Sequence, residues 1–287
     1  MSSQPFDDIR ALVGQPSAPT AVTPAWAIGR LGPTAEWIAA WRGEAAVNRP
    51  ILALYAGTHQ GAGGALDTRA RLEAIAAGEA PVARAVQHLG AGLDVFDLAI
   101  DRPVPDIAVG AAMRERECAA TMAFGMEALA KQPDLLILAG FGAGADEAAE
   151  ALLLALLGEA AVAAPTARAS AAAARALAEA GDDPLQLLRQ LGGRETAALA
   201  GAIVAARAQR TPVLLEGAPA LAAAAALAML EPSAIAHCRA ARPSAAAGAL
   251  GMERIADLEL GLDDGAGALA ALGLIRLACA LARPAAN

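Results

Sequence analysis

Short apolar runs, each following a stretch of helical spacing, constrain this chain more than anything else in it. Residues 51–56 form an unbroken run that ends at Gly57. A run without polar alternation predicts a strand buried on both faces, as in a parallel sheet. Comparable runs at 93–100, 135–139, 212–215 and 234–237 follow helical segments at 79–89, 114–130, 196–208 and 219–229. This alternation predicts an α/β fold, a mostly parallel sheet with helices on both faces. Before the first strand, Asp7 and Asp8 open one helical stretch; Pro33-Thr34 opens another, with Trp37, Ile38 and Trp41 at helical spacing. Residues 160–180 are alanine-rich and read as a loop running into a helix.

In such sheets ligands bind beyond the carboxyl ends of the strands. Three turns are expected there: Gly57-Thr58-His59-Gln60-Gly61, Gly140-Phe141-Gly142-Ala143-Gly144-Ala145 and Glu216-Gly217. His59, in a glycine-rich turn after a strand, is a functional candidate; His88 and His237 read as packed side chains. The second turn satisfies a dinucleotide fingerprint, with Glu159 as the ribose-binding acid. Against that reading, Asp146 and Glu147 follow at the helix start, where carboxylates suit the helix dipole but repel a pyrophosphate. Glu195, after Leu191-Gly192-Gly193-Arg194, reads as a first-turn acid. Asp263-Asp264-Gly265-Ala266-Gly267 reads either as a turn and helix cap or as a carboxylate acting as general base.

Charge and composition exclude several classes. A net charge of -8, with 3% aromatic residues, lacks both the basic footprint and the stacking surface of a nucleic-acid binder. Mean hydropathy is +0.43, but the apolar stretch at 148–164 is broken by Glu150, Gly158 and Glu159, so no membrane span is expected. No basic segment leads into an apolar one at the N-terminus, so a cytoplasmic protein is expected. Cys118, Cys238 and Cys279 lie far apart, which fits reduced core thiols better than a metal site or disulfide. Lys131 is the only lysine, which nearly excludes Schiff-base chemistry.

Taken in order, these segments resemble the nicotinate-nucleotide:dimethylbenzimidazole phosphoribosyltransferase family of cobalamin biosynthesis. Pro24, Ile28-Gly29-Arg30-Leu31 and the tryptophan helix resemble its K-P-P-G-S-L-G-R-L-E segment. Ala56-Gly57-Thr58-His59 stands at its A-G-D-H-G-V, residues 76–100 at its G-G-A-A-I-N helix and next strand, and Met113-Arg114-Glu115 at M-T-R-E-E. Phe141-Gly142-Ala143-Gly144 stands at E-M-G-I-G-N-T-T, Leu191-Gly192-Gly193 with Glu195 at L-G-G-F-E, residues 213–217 at V-V-L-D-G, and residues 262–268 at L-G-E-G-T-G-A.

The resemblance implies a large α/β domain, 50–265, carrying the site, and a small helical domain from 1–49 with 266–287, in a homodimer. It implies transfer of phosphoribose from nicotinate mononucleotide to a dimethylbenzimidazole-type base, without metal or cofactor. Asp264 stands at the catalytic glutamate. Gly57, His59, Gly142, Ala143, Gly144, Glu216, Gly217, Gly265 and Gly267 are the implied substrate-binding set. The chain also departs from the family: Gly140 replaces the loop glutamate, Ala145, Asp146 and Glu147 replace N-T-T, Thr58 replaces an aspartate, and no lysine lies at 160–180. The Asp146-Glu147 pair is expected to weaken binding of the donor's phosphate. Two alternatives stand beside the transferase: a silent paralogue binding a nucleoside-like or aromatic molecule, and an NAD-dependent oxidoreductase.

Overall fold

Strand formation follows the apolar runs closely. In the computed structural model, which describes residues 5–22, 28–62, 64–257 and 265–282, β1 (Pro50–Ala56), β2 (Gly92–Asp97), β3 (Leu135–Phe141), β4 (Val213–Glu216) and β5 (Cys238–Ala240) form one sheet in the order β2-β1-β3-β4-β5. Every pairing is parallel. All residues of β1, β3 and β4 are buried, which is why their sequences lack polar alternation. The last strand begins at Cys238, not within 234–237. Residues Pro232–Ile235 form a 3₁₀ turn instead: Pro232 has no N–H for a ladder, and the Glu231 carboxylate accepts the Ser233 amide at 3.1 Å.

The helices are α1 (Asp7–Val13), α2 (Gly32–Arg42), α3 (Ala65–Ala76), α4 (Pro81–Leu89), α5 (Glu115–Gly125), α6 (Ala145–Leu157), α7 (Ala167–Ala180), α8 (Pro184–Leu191), α9 (Gly193–Ala208), α10 (Gly217–Leu230), α11 (Ala245–Ala249) and α12 (Ala266–Ala282). They cover both faces of the sheet. On one face Tyr55, Leu136, Leu138 and Leu215 meet side chains of α5, α6, α8, α9 and α10. On the other, Leu52, Leu54, Ile137 and Leu214 meet Trp37 and Trp41 of α2, Val82 and Val86 of α4, and Leu269, Leu272 and Ile275 of α12. No helix among the described residues is long and apolar enough to cross a membrane.

Small residues let helices touch backbone to backbone. A Cβ added to Gly125 of α5 would lie 1.9 Å from the Ala198 carbonyl oxygen of α9, and one added to Gly201 would lie 1.8 Å from that of Met122. The α5–α9 crossing therefore leaves no room for any side chain at either position.

Candidate active site

Gly57, Gly142 and Gly217 are each the first residue past a strand, at the ends of β1, β3 and β4. These strands are neighbours in the sheet, so the three turns share one edge. The first two turns continue the ladder: the Gly57 amide donates to the Phe141 carbonyl at 3.0 Å and the His59 amide to the Ala143 carbonyl at 2.9 Å. Glycine is required at 142, where φ is +138° and a Cβ would lie 1.7 Å from the Gly57 oxygen. Gly144 leads into α6, its Cα packed against the His59 side chain.

Beneath these turns lies a buried pair. His59 Nε2 is 2.8 Å from Glu195 Oε1, with His59 6% exposed and Glu195 wholly enclosed. Gly57 and Gly193 close over it; a Cβ on Gly57 would stand 1.9 Å from Glu195 Oε2, and one on Gly193 2.5 Å from His59 Nε2. His59 Nδ1 and Glu195 Oε2 have no hydrogen-bond partner. An Nε2–H donating to the carboxylate leaves Nδ1 as an acceptor. Unsatisfied buried atoms of this kind are uncommon in a purely structural pair. Glu195 opens α9 as expected of a first-turn acid, but its inward direction was not legible; the one local signal is a carboxylate placed between small residues.

Glu216 is also buried, and its carboxylate grips the start of α12. Oε1 accepts the Gly267 amide at 3.1 Å and Oε2 the Ala268 amide at 2.5 Å. The acid thus satisfies two of the orphan amides of a helix N-terminus and complements its dipole. A Cβ on Gly267 would approach Glu216 Oε1 to 2.5 Å. Gly265 lies against Leu52 of β1 on the same face. Asp264, the residue before it, lies outside the described residues.

Two cavities border this edge. One, of about 510 Å³, is lined by Thr68 and Arg71 of α3 together with Gly140, Phe141, Ala143 and Asp146. The Arg71 guanidinium sits 4.7 Å above the Phe141 ring, and the Ala143 amide donates to Thr68 Oγ1 at 2.9 Å. The other, of about 290 Å³, borders β4 and is lined by Gly217, Leu221, Arg242, Ser244 and Glu150. Burial pushes the Glu150 carboxyl above its usual range.

The two acids at the start of α6 part company. Asp146 lines the larger cavity. Glu147 accepts from Arg168 Nε at 3.1 Å, and Arg168 also bonds Asp106 at 2.5 Å, so Glu147 is held in a bridge to α7. The side chains of α3, with Arg242 and Ser244, were not singled out from sequence.

Two expectations change and one holds. The dinucleotide fingerprint fails because Gly140 lies inside β3 and Glu159 opens a 3₁₀ turn, where the fingerprint needs a second strand. His88 is exposed on α4 instead of packed. His237 is buried just ahead of β5, with Nε2 3.1 Å from the Ile203 carbonyl.

Residues 15–287 match the family DBI_PRT, described as phosphoribosyltransferase. The nicotinate-nucleotide–dimethylbenzimidazole phosphoribosyltransferase of Rhizobium leguminosarum bv. trifolii is 41% identical, over 98% of this chain and 94% of its own length. The enzyme of the same name from Sinorhizobium fredii is 41% identical, over 97% and 94%. Among solved structures, CobT from Thermus thermophilus superposes with a TM-score of 0.78 at 26% identity, over 98% of this chain and 96% of that one.

Proposed function

The chain belongs to the DBI_PRT phosphoribosyltransferase family, and from that premise we propose that it makes the lower-ligand nucleotide of cobalamin by moving phosphoribose from nicotinate mononucleotide to a dimethylbenzimidazole-type base. One observation carries the assignment of the site: Gly57, Gly142 and Gly217 end three adjacent strands, and a cavity borders the turns of β3 and of β4. Two substrates need two such spaces meeting at one edge.

In this reading the donor's phosphate lies by Arg242 and Ser244, the cation there replacing the lysine that 160–180 lacks. The base stacks on Phe141 in the larger cavity. One ring nitrogen of the base attacks the anomeric carbon as the bond to nicotinate breaks. Nicotinate leaves as a neutral pyridine ring, and the proton on the base's other nitrogen goes to a carboxylate. Asp264 is that carboxylate, one residue ahead of the turn that Glu216 holds. The buried His59–Glu195 pair positions the glycine turns, and Glu216 positions α12. The same reading makes the protein a cytoplasmic homodimer.

Turnover of nicotinate mononucleotide with dimethylbenzimidazole, followed by chromatography of α-ribazole phosphate, tests the assignment. Asp264→Ala should lower kcat by about 100- to 10,000-fold, while Asp264→Glu preserves or raises it. A parent without turnover that still binds the base would instead support a silent paralogue. Asp263→Ala proving the more damaging change would move the base to that residue.

A further inference from the structure

Some distance from the transfer site, α9 ends beside a cavity of about 360 Å³ that the proposed reaction does not use. Arg207 lies twelve residues after Glu195 on this helix, about 18 Å away at 1.5 Å per residue. The cavity wall combines Arg207 and Arg210 with the apolar side chains of Val13, Pro16, Val204 and Ala208. None of the residues lining it carries a carboxylate.

Arg207 is 5% exposed. Its guanidinium donates to the Val13 carbonyl at 2.8 Å and to Ser233 Oγ at 2.9 Å, both neutral acceptors, while its Nε has no acceptor at all. Arg210 likewise donates only to neutral oxygens, of Ala18, Thr20 and Ala40. Neither makes an ion pair with a described residue. The charge of Glu231 reaches Arg207 only through Ser233, whose amide and hydroxyl that carboxylate engages. A buried guanidinium is ordinarily paired directly with a carboxylate, and here the acid stands one hydroxyl away. Clamping residues 13–20 onto the body of the protein accounts for the carbonyl bonds. It accounts for neither the unused buried N–H nor two cations facing one space.

We propose that this cavity is a binding site for a small organic carboxylate, its oxyanion paired with Arg207 and Arg210 and its apolar body against Val13, Pro16 and Val204. The site is separate from the transfer site and stands whether or not the proposed reaction is correct.

The test uses benzoate as the probe, with uncharged benzamide and inorganic phosphate beside it, in calorimetric titrations and thermal shift on the full chain. Benzoate should bind the parent and raise its Tm with concentration. Benzamide and phosphate should each bind at least about tenfold more weakly, one lacking the charge and the other the apolar body. Arg207→Gln should weaken benzoate at least about tenfold. Should that variant fail to fold, Ala208→Phe decides, since it fills the cavity while leaving both guanidiniums their protein bonds. Arg242→Gln, in the cavity beside β4, should leave benzoate affinity within about twofold, as expected of well-separated sites. No binding to the parent, or binding lost in Arg242→Gln but kept in Ala208→Phe, overturns the site. Phosphate binding as tightly as benzoate overturns the carboxylate assignment.

Discussion

Replacing Glu216 by glutamine should unseat the start of α12 with almost no change in shape. The carboxylate accepts two amides, from Gly267 and Ala268. A glutamine offers one oxygen and one NH₂, so one of the two amides meets a donor. Losing one charge-assisted bond costs about 1.5–3 kcal/mol, and losing the negative charge at the helix N-terminus adds about 0.3–1 kcal/mol. A total near 3 kcal/mol corresponds to a Tm lower by roughly 6–12 °C, taking 2–4 °C per kcal/mol at this size. Gly267→Ala should act through the same contact, since its Cβ would stand 2.5 Å from Glu216 Oε1. The two changes together should therefore cost less than their sum. Urea melts of the single and double variants give the coupling directly. Transferase assays well below Tm should show kcat falling in Glu216→Gln with little change in KM for either substrate. Stability within about 0.5 kcal/mol of the parent, the scatter of ordinary surface changes, or strict additivity in the double variant, would refute the cap.

Other outcomes follow from the same geometry. Gly142→Ala forces a methyl to 1.7 Å from the Gly57 oxygen at φ +138°, so a loss on the order of 4 kcal/mol is expected in urea melts; a neutral substitution would mean the two turns do not pack together. Burial pushes the His237 imidazole down to about 3 from its ordinary 6.5. The unfolded chain then takes up a proton that the native state refuses, so this contribution is complete above pH 6.5 and shrinks as pH falls toward 3. Between pH 7 and pH 5 it amounts to about 2 kcal/mol, and His237→Gln should flatten that part of the stability curve; an unchanged slope would assign the acid sensitivity elsewhere. Asp146→Ala should raise KM for the base several-fold while leaving KM for nicotinate mononucleotide within twofold. A tighter donor would instead make Asp146 the source of the phosphate repulsion expected from sequence.

The strands were legible because burial on both faces removes polar residues from a run, as at 51–56 and 135–139. The short β5 was not. Its three residues include Arg239, and the more apolar stretch just before it turns as 3₁₀ around Pro232. The glycines of the edge could be read from their places after strands. Their partners could not, because the contacts are remote in sequence: Ala143 meets Thr68 across 75 residues, and His59 meets Glu195 across 136. Local spacing carries nothing about such pairs. Glu195 illustrates the difficulty, since a first-turn acid looks the same whether it faces solvent or the core. The sequence of α6 likewise presents Asp146 and Glu147 as equals, yet it is Arg168, on another helix, that draws Glu147 into a bridge to α7.

The crossing of α5 and α9 works as a keyed shaft. With Gly125 seated on Ala198 and Gly201 on Met122, α9 can neither slide nor turn against its neighbour without driving atoms into one another. Glu195, at the head of that shaft, is thereby held in azimuth and depth by two positions that touch no substrate. Laboratory evolution aimed at a new acceptor base should find the cavity walls around Phe141 forgiving and these two remote glycines closed to every other residue.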